Sequence, residues 1–140
     1  WGLVGELAIG TAPRNKNDLN KLKVYGINSI FCLCSEADSP RIDGVENDFT
    51  YESLVLPDHR SEKSITLLEI QNALSILKNL MRFKPVFVHC LASMERSPLI
   101  CISWLIKEKG LTFNQSLDYM MQIHKRTNPL TEDLKLLMML

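Results

Sequence analysis

The stretch from Val86 to Leu99, VFVHCLASMERSPL, decides how the rest of the chain is read. Val86 to His89 is short, apolar and β-branched, as expected of a buried strand. Cys90 follows, five residues form a loop, and Arg96 stands just before a helix start at Ser97-Pro98, where Pro suits the first turn. A loop this short can turn successive backbone N–H groups inward, making a nest for a tetrahedral oxyanion. The helix behind it adds unpaired N–H groups and the positive end of its dipole. Arg96 can grip two phosphate oxygens at once, which Lys does less well. Such surroundings are expected to lower the Cys90 pKa into the roughly 3.5–7.5 range of activated thiols, giving a thiolate able to attack phosphorus. Ser97 is placed to hydrogen-bond the sulfur as it leaves a phospho-enzyme, and it also fits as a helix N-cap. His89 is expected to fix the loop through its ring nitrogens rather than act as a base.

Working outward, Leu3 to Ile9 reads as an edge strand ended by Gly10 and Pro13. Asp18 to Tyr25 has helical leucine spacing (Leu19, Leu22) with Gly26 as its C-cap. Ile27 to Cys34, INSIFCLC, is a buried strand, and the polar run from Ser35 to Phe49 with Pro40 and Gly44 is loop. Thr50 to Leu56 reads as a further strand stopped by Pro57. Thr66 with Glu69 is a capping-box pattern ahead of Leu67, Ile70, Leu74, Leu77 and Met81, a helix predicted to end near Lys84-Pro85. The helix begun at Pro98 stops before Gly110. Thr112 with Gln115 opens another to about Arg126, and Thr131 caps a last one running to Leu140. Strands alternating with helices predict an α/β fold with a central, mainly parallel sheet flanked by helices. Ligands on such sheets sit at the carboxyl ends of the strands, where Cys90 is delivered.

Bulk properties narrow the function further. The 140 residues suit one domain, 1–140, with a real core. Sixteen basic and sixteen acidic residues leave no net charge, so no broad field favours nucleic acid or an acidic membrane surface. No apolar run is long enough for membrane insertion. The first residue is Trp1 rather than Met, so upstream sequence is expected to be missing. The four cysteines (Cys32, Cys34, Cys90, Cys101) lack zinc-site pairing and disulfide-scaffold density, which predicts reduced thiols and a cytoplasmic location.

HCLASMERS resembles the His-Cys-x5-Arg-Ser/Thr signature of the cysteine-dependent protein tyrosine phosphatases, in their small dual-specificity branch. GELAIGTAP is similar to that family's first strand and turn, and LVLPDHRSE to the loop carrying its general acid. The resemblance implies a protein-tyrosine-phosphatase-like fold, a phosphate loop of His89, Leu91, Ala92, Ser93, Met94, Glu95 and Arg96, and a two-step reaction through a cysteinyl phosphate on Cys90. It implies no metal or other cofactor. Asp58, 32 residues before Cys90, matches the acid that protonates the leaving oxygen and later activates water; turn formation after Pro57 is its plainer reading. Asp38, Asp43 and Asp48 fit that role less well. Two positions depart from the family pattern. Ser93 stands where Gly is usual, and Glu95 is an acid beside an anion site, its side chain expected to point outward.

The resemblance also frames the substrate. Relatives acting on phosphoinositides tend to carry lysines in this loop, and here there are none. That favours phosphotyrosine in a protein or peptide, with or without phosphoserine and phosphothreonine. Rival readings are a phosphate-binding pseudophosphatase, a lipid or nucleotide phosphatase and a rhodanese-like sulfur carrier. Cys34 reads equally as a core thiol or as a reversible disulfide partner of Cys90, a pairing known among relatives. Cys32 is expected to alternate away from Cys34, and with Cys101 to be core. Arg126 reads as a solvated helix end more than a cleft residue, and the tail Leu136, Leu137, Met138, Met139, Leu140 as core packing.

Overall fold

A computed structural model describes residues 6–57, 59–92 and 94–140. Asp58, Ser93 and the part of the expected first strand before Glu6 lie outside the described residues.

Four parallel strands form one sheet in the order β1-β4-β2-β3, with β1 Leu7–Ile9, β2 Ser29–Cys32, β3 Thr50–Ser53 and β4 Val86–His89. The last strand in sequence is therefore inserted between β1 and β2, and β1 lies at an edge. Register pairs Leu7 with Val86 on one side of β4 and Ser29 with Val86 on the other. All four residues of β4 are buried, which explains why its sequence is apolar rather than alternating.

Helices cover both faces. On one side α1 (Lys16–Val24) and α2 (Val45–Asp48) place Leu19 and Val45 against Ala8, Ile30 and Phe87. On the other, α3 (Leu67–Leu80), α4 (Arg96–Lys109), α5 (Phe113–Ile123) and α6 (Thr131–Leu136) cover Leu7, Phe31, Val86 and Val88. Both capping boxes form: Thr66 and Glu69 open α3, and Thr112 and Gln115 open α5, each with reciprocal bonds. Gly110 closes α4 at φ 68°, a left-handed conformation that favours glycine. Among the described residues no helix is long and apolar enough to cross a membrane.

Several expected boundaries move, for local reasons. Gly44, at φ 79°, starts the one-turn helix α2 inside the stretch read as loop. β3 ends at Ser53, after which Leu54 and Leu56 donate to the carbonyls of Cys32 and Leu33. A 3₁₀ turn, Met81–Phe83, finishes the segment after α3. α5 stops at Ile123 rather than Arg126, because the Thr127 hydroxyl donates to the His124 carbonyl and turns the chain. Leu130, not Thr131, holds the N-cap position of α6 and makes no side-chain cap. The tail is only partly core: Leu137 is buried, whereas Met138 and Met139 are 72% and 61% exposed on a final 3₁₀ turn.

α3 offers a direct test of this packing, since Leu77 is fully buried and Leu68 on the same helix is exposed. Urea unfolding should show Leu77→Ala losing roughly 2–5 kcal/mol, while Leu68→Ala stays within about 0.5 kcal/mol of wild type.

Candidate active site

Cys90 leaves the carboxyl end of β4 already buried, and four separate segments fix the loop around it. The Leu33 amide donates to the His89 carbonyl at 2.9 Å, and Ala12 donates to the Leu91 carbonyl at 3.3 Å. Asn128 donates to the Met94 carbonyl at 2.7 Å. On the fourth side the Glu95 carboxylate accepts from the His59 backbone N–H at 3.1 Å and pairs with the His59 ring. Glu95 therefore does not point outward as expected. It ties the loop to the segment that follows Pro57 while lining the cavity over Cys90. Arg60 adds a second tie, donating to Asp38 at 2.6 Å.

The helix behind the loop begins at Arg96, one residue earlier than the sequence suggested, with Glu95 as N-cap and no side-chain capping bond. Ser97 is thus inside the first turn rather than at the cap. Its hydroxyl lies 3.4 Å from the Cys90 sulfur. The Arg96 side chain is buried beneath the loop and donates to the carbonyls of Leu56 at 3.3 Å and Leu33 at 3.5 Å. Those carbonyls lie just past β3 and β2, so the sheet edge itself holds the guanidinium in place. A cavity of about 180 Å³ opens over Cys90 and Arg96, lined also by His59, Arg60, Leu91 and Met94. Leu91 and Met94 are 37% and 38% exposed and give it an apolar rim. The arrangement can seat a tetrahedral dianion against a sulfur nucleophile, with an arginine and a helix start to balance its charge.

His89 directs its Nδ1 at the Cys90 carbonyl, 3.0 Å away, so the ring braces the Cys90 backbone. Behind it the cysteine reading changes. Cys32 does not alternate away from Cys34, because residues two apart on an extended chain share a face; the two sulfurs are 3.7 Å apart. Hydrogen bonding from Cys34, helped by His89, holds the Cys32 thiol well below the usual range against the cost of burial. The same bond, burial and the Cys32 charge push Cys34 up, while Arg96 pulls it down and Cys90 pushes it up, which places Cys34 within electrostatic reach of the site. Burial pushes the Cys101 thiol up within α4, the behaviour of a core cysteine.

Arg126, just beyond α5, is exposed and lines a second cavity of about 450 Å³ with Arg14, Lys21, Leu91 and Ala92. It faces this groove beside the loop rather than open solvent alone. Sequence reasoning missed the groove, since Arg14 and Lys21 are remote in the chain and belong to no motif. It also missed the pairing of Glu95 with His59, which has no sequence signature.

A family model described as the catalytic domain of dual specificity phosphatases matches residues 8–139. The chain belongs to that family. Curated relatives include the phosphatidylglycerophosphate phosphatase PTPMT2 of Arabidopsis thaliana, 25% identical over 90% of this chain and 56% of its own. Human dual specificity protein phosphatase 7 is 27% identical over 88% of this chain and 28% of its own. The chain thus spans little more than half, or less, of these relatives. Among solved structures, the dual-specificity fold is shared with Tk-PTP in its active form, at a TM-score of 0.82, 17% identity and coverage of 96% and 90%.

Two measurements probe the ties around this phosphatase loop. Glu95→Ala should speed amide exchange at His59 while leaving exchange in α3 and β4 unchanged. Asp133, buried at the start of α6, has its carboxyl pushed by burial, Glu132 and Glu95 from the ordinary 3.8 to about 6. Its folded pKa exceeds the unfolded one, so the folded chain binds the extra proton in that window, and stability falls as pH rises from about 4 to about 6. Asp133→Asn should remove this loss. Its melting temperature should gain on wild type between pH 4 and pH 7.

Proposed function

We propose that the chain is a cysteine-dependent phosphomonoesterase that hydrolyses phosphotyrosine, together with phosphoserine or phosphothreonine, in proteins. The observation that carries this reading is the position of Cys90. Its buried sulfur ends a fully buried strand, 3.4 Å from the Ser97 hydroxyl, at the start of a helix whose first residue is a buried arginine. In the first step the Cys90 thiolate attacks phosphorus while Arg96 and the loop N–H groups balance charge on the phosphoryl oxygens. Asp58 protonates the departing alkoxide or phenoxide. In the second step Asp58 takes a proton from water, water attacks the cysteinyl phosphate, and Ser97 hydrogen-bonds the leaving thiolate. Leu91, Ala92, Ser93, Met94 and Glu95 frame the anion, His89 braces the loop from behind, and the reaction takes no metal.

The apolar rim at Leu91 and Met94 and a loop without lysine support an aromatic phosphoester on a protein. A second reading has its own support: the groove carrying Arg14, Lys21 and Arg126 fits a substrate with a second anionic group, such as a lipid phosphate. The name of the Arabidopsis relative is in keeping with it.

Hydrolysis of a phosphotyrosine peptide, a phosphothreonine peptide and a phosphatidylglycerophosphate vesicle, all with EDTA, tests the proposal. Wild type should act fastest on the phosphotyrosine peptide, Cys90→Ser should be inactive, and Asp58→Asn should lose about 100-fold or more in kcat. Preference for the vesicle would transfer the function to lipid. A folded wild-type protein that binds vanadate but hydrolyses none of the three would make it a phosphate-binding module.

A further inference from the structure

Beneath the phosphate loop, on the face of the sheet covered by α1 and α2, lies a group of side chains that take no chemical step in the proposed hydrolysis. Cys32 ends β2 and stands in register across from His89 of β4. Cys34, two residues on, returns its sulfur to the same face, 3.7 Å from that of Cys32. The two sulfurs and a ring nitrogen of His89 all lie within 4.8 Å of one another, and each residue is at most 2% exposed. Ile30 and Phe87 share that face, and the Tyr51 hydroxyl lies within hydrogen-bonding reach of the Cys32 sulfur.

The spacing matches a particular ligand chemistry. Two thiolates bound to one Zn²⁺ at about 2.3 Å in tetrahedral geometry have their sulfurs about 3.8 Å apart. The 3.7 Å separation already meets that requirement. The imidazole is prepared as well. Its Nδ1 faces the Cys90 carbonyl at 3.0 Å, which calls for the proton on Nδ1 and leaves the Nε2 lone pair for a ligand. Metal-bound histidines are commonly oriented by this kind of carbonyl.

We propose that Cys32, Cys34 and His89 form a buried Zn²⁺ site behind the nucleophile, separate from the phosphate cradle. Binding makes two Zn–S bonds and one Zn–N bond, and the proton that leaves Cys34 passes to solvent; water completes the tetrahedron. No redox change is involved. Zinc takes no part in phosphoryl transfer. Its link to the active site is the His89 ring, which holds the backbone carbonyl of Cys90.

The test uses Co²⁺ as a spectroscopic probe on the full chain carrying Cys90→Ser, which removes the nucleophile as a competing thiolate. One equivalent should give intense d–d bands with thiolate-to-cobalt charge transfer, displaced stoichiometrically by Zn²⁺. Adding Cys32→Ser should weaken zinc binding by at least the roughly 10–100-fold that loss of an outer-shell partner costs, with circular dichroism reporting that the variant is folded. Independently of that variant, zinc X-ray absorption of the Cys90→Ser protein should give two sulfurs at about 2.3 Å. Weak or absent cobalt binding, a spectrum unchanged by Cys32→Ser in a folded protein, or fewer than two sulfurs around zinc would each overturn the proposal. These readouts do not depend on phosphatase activity, so they stand or fall apart from the proposed function.

Discussion

The rest of the site depends on one constraint: β4 is hydrogen-bonded to a parallel neighbour on each side, and it ends where α4 begins only a few residues later. A central strand cannot slip without moving both partners and exchanging its buried side chains for those on the opposite face. Register fixes His89 opposite Cys32, and the next residue, Cys90, emerges at the carboxyl edge with its sulfur against the first turn of α4. The same edge supplies the carbonyls of Leu33 and Leu56 that hold Arg96. The Cys90 sulfur, helix start and guanidinium are thus set by backbone geometry, which is the preorganisation that an electrostatic site needs.

Much of this was legible in the sequence because it rests on local rules. The four residues of β4 were bounded by Pro85 and Cys90, the capping boxes at Thr66 and Thr112 named their helices, and Gly110 marked a stop. Other features rest on contacts distant in the chain. Nothing near Glu95 tells that its carboxylate reaches His59, 36 residues away. Arg14 and Arg126 meet in one groove only because β1 lies next to β4. The Cys32 expectation failed for a different reason: the two-residue period of a strand puts Cys32 and Cys34 on one face, so the signal was present and misread. Ser97 moved from cap to first turn because the uncapped helix start shifted by a single residue, enough to bring its hydroxyl to the sulfur.

The two faces of the active strand carry different chemistry. Toward α3, α4 and α5, the side chains of Val86, Val88 and Leu99 make a continuous apolar core that keeps water from beneath the loop. Toward α1 and α2, His89 interrupts the smaller core with a ring that faces the Cys90 carbonyl and lies near two thiols. A buried imidazole costs free energy unless its polar atoms are partnered, and Nδ1 of His89 is partnered by the Cys90 carbonyl. The support of the nucleophile and the proposed metal site therefore share one residue.

We propose that this setting makes Cys90 a thiolate at neutral pH. This is tested most directly by the pH dependence of Cys90 alkylation by iodoacetamide, read from the mass of the peptide that contains it. The account predicts half-maximal rate below about pH 7.5, the upper bound for thiols in positive surroundings. A midpoint at or above the free-thiol value of about 8.5 would contradict it, because the cradle would then supply no charge stabilisation to the group that must attack phosphorus.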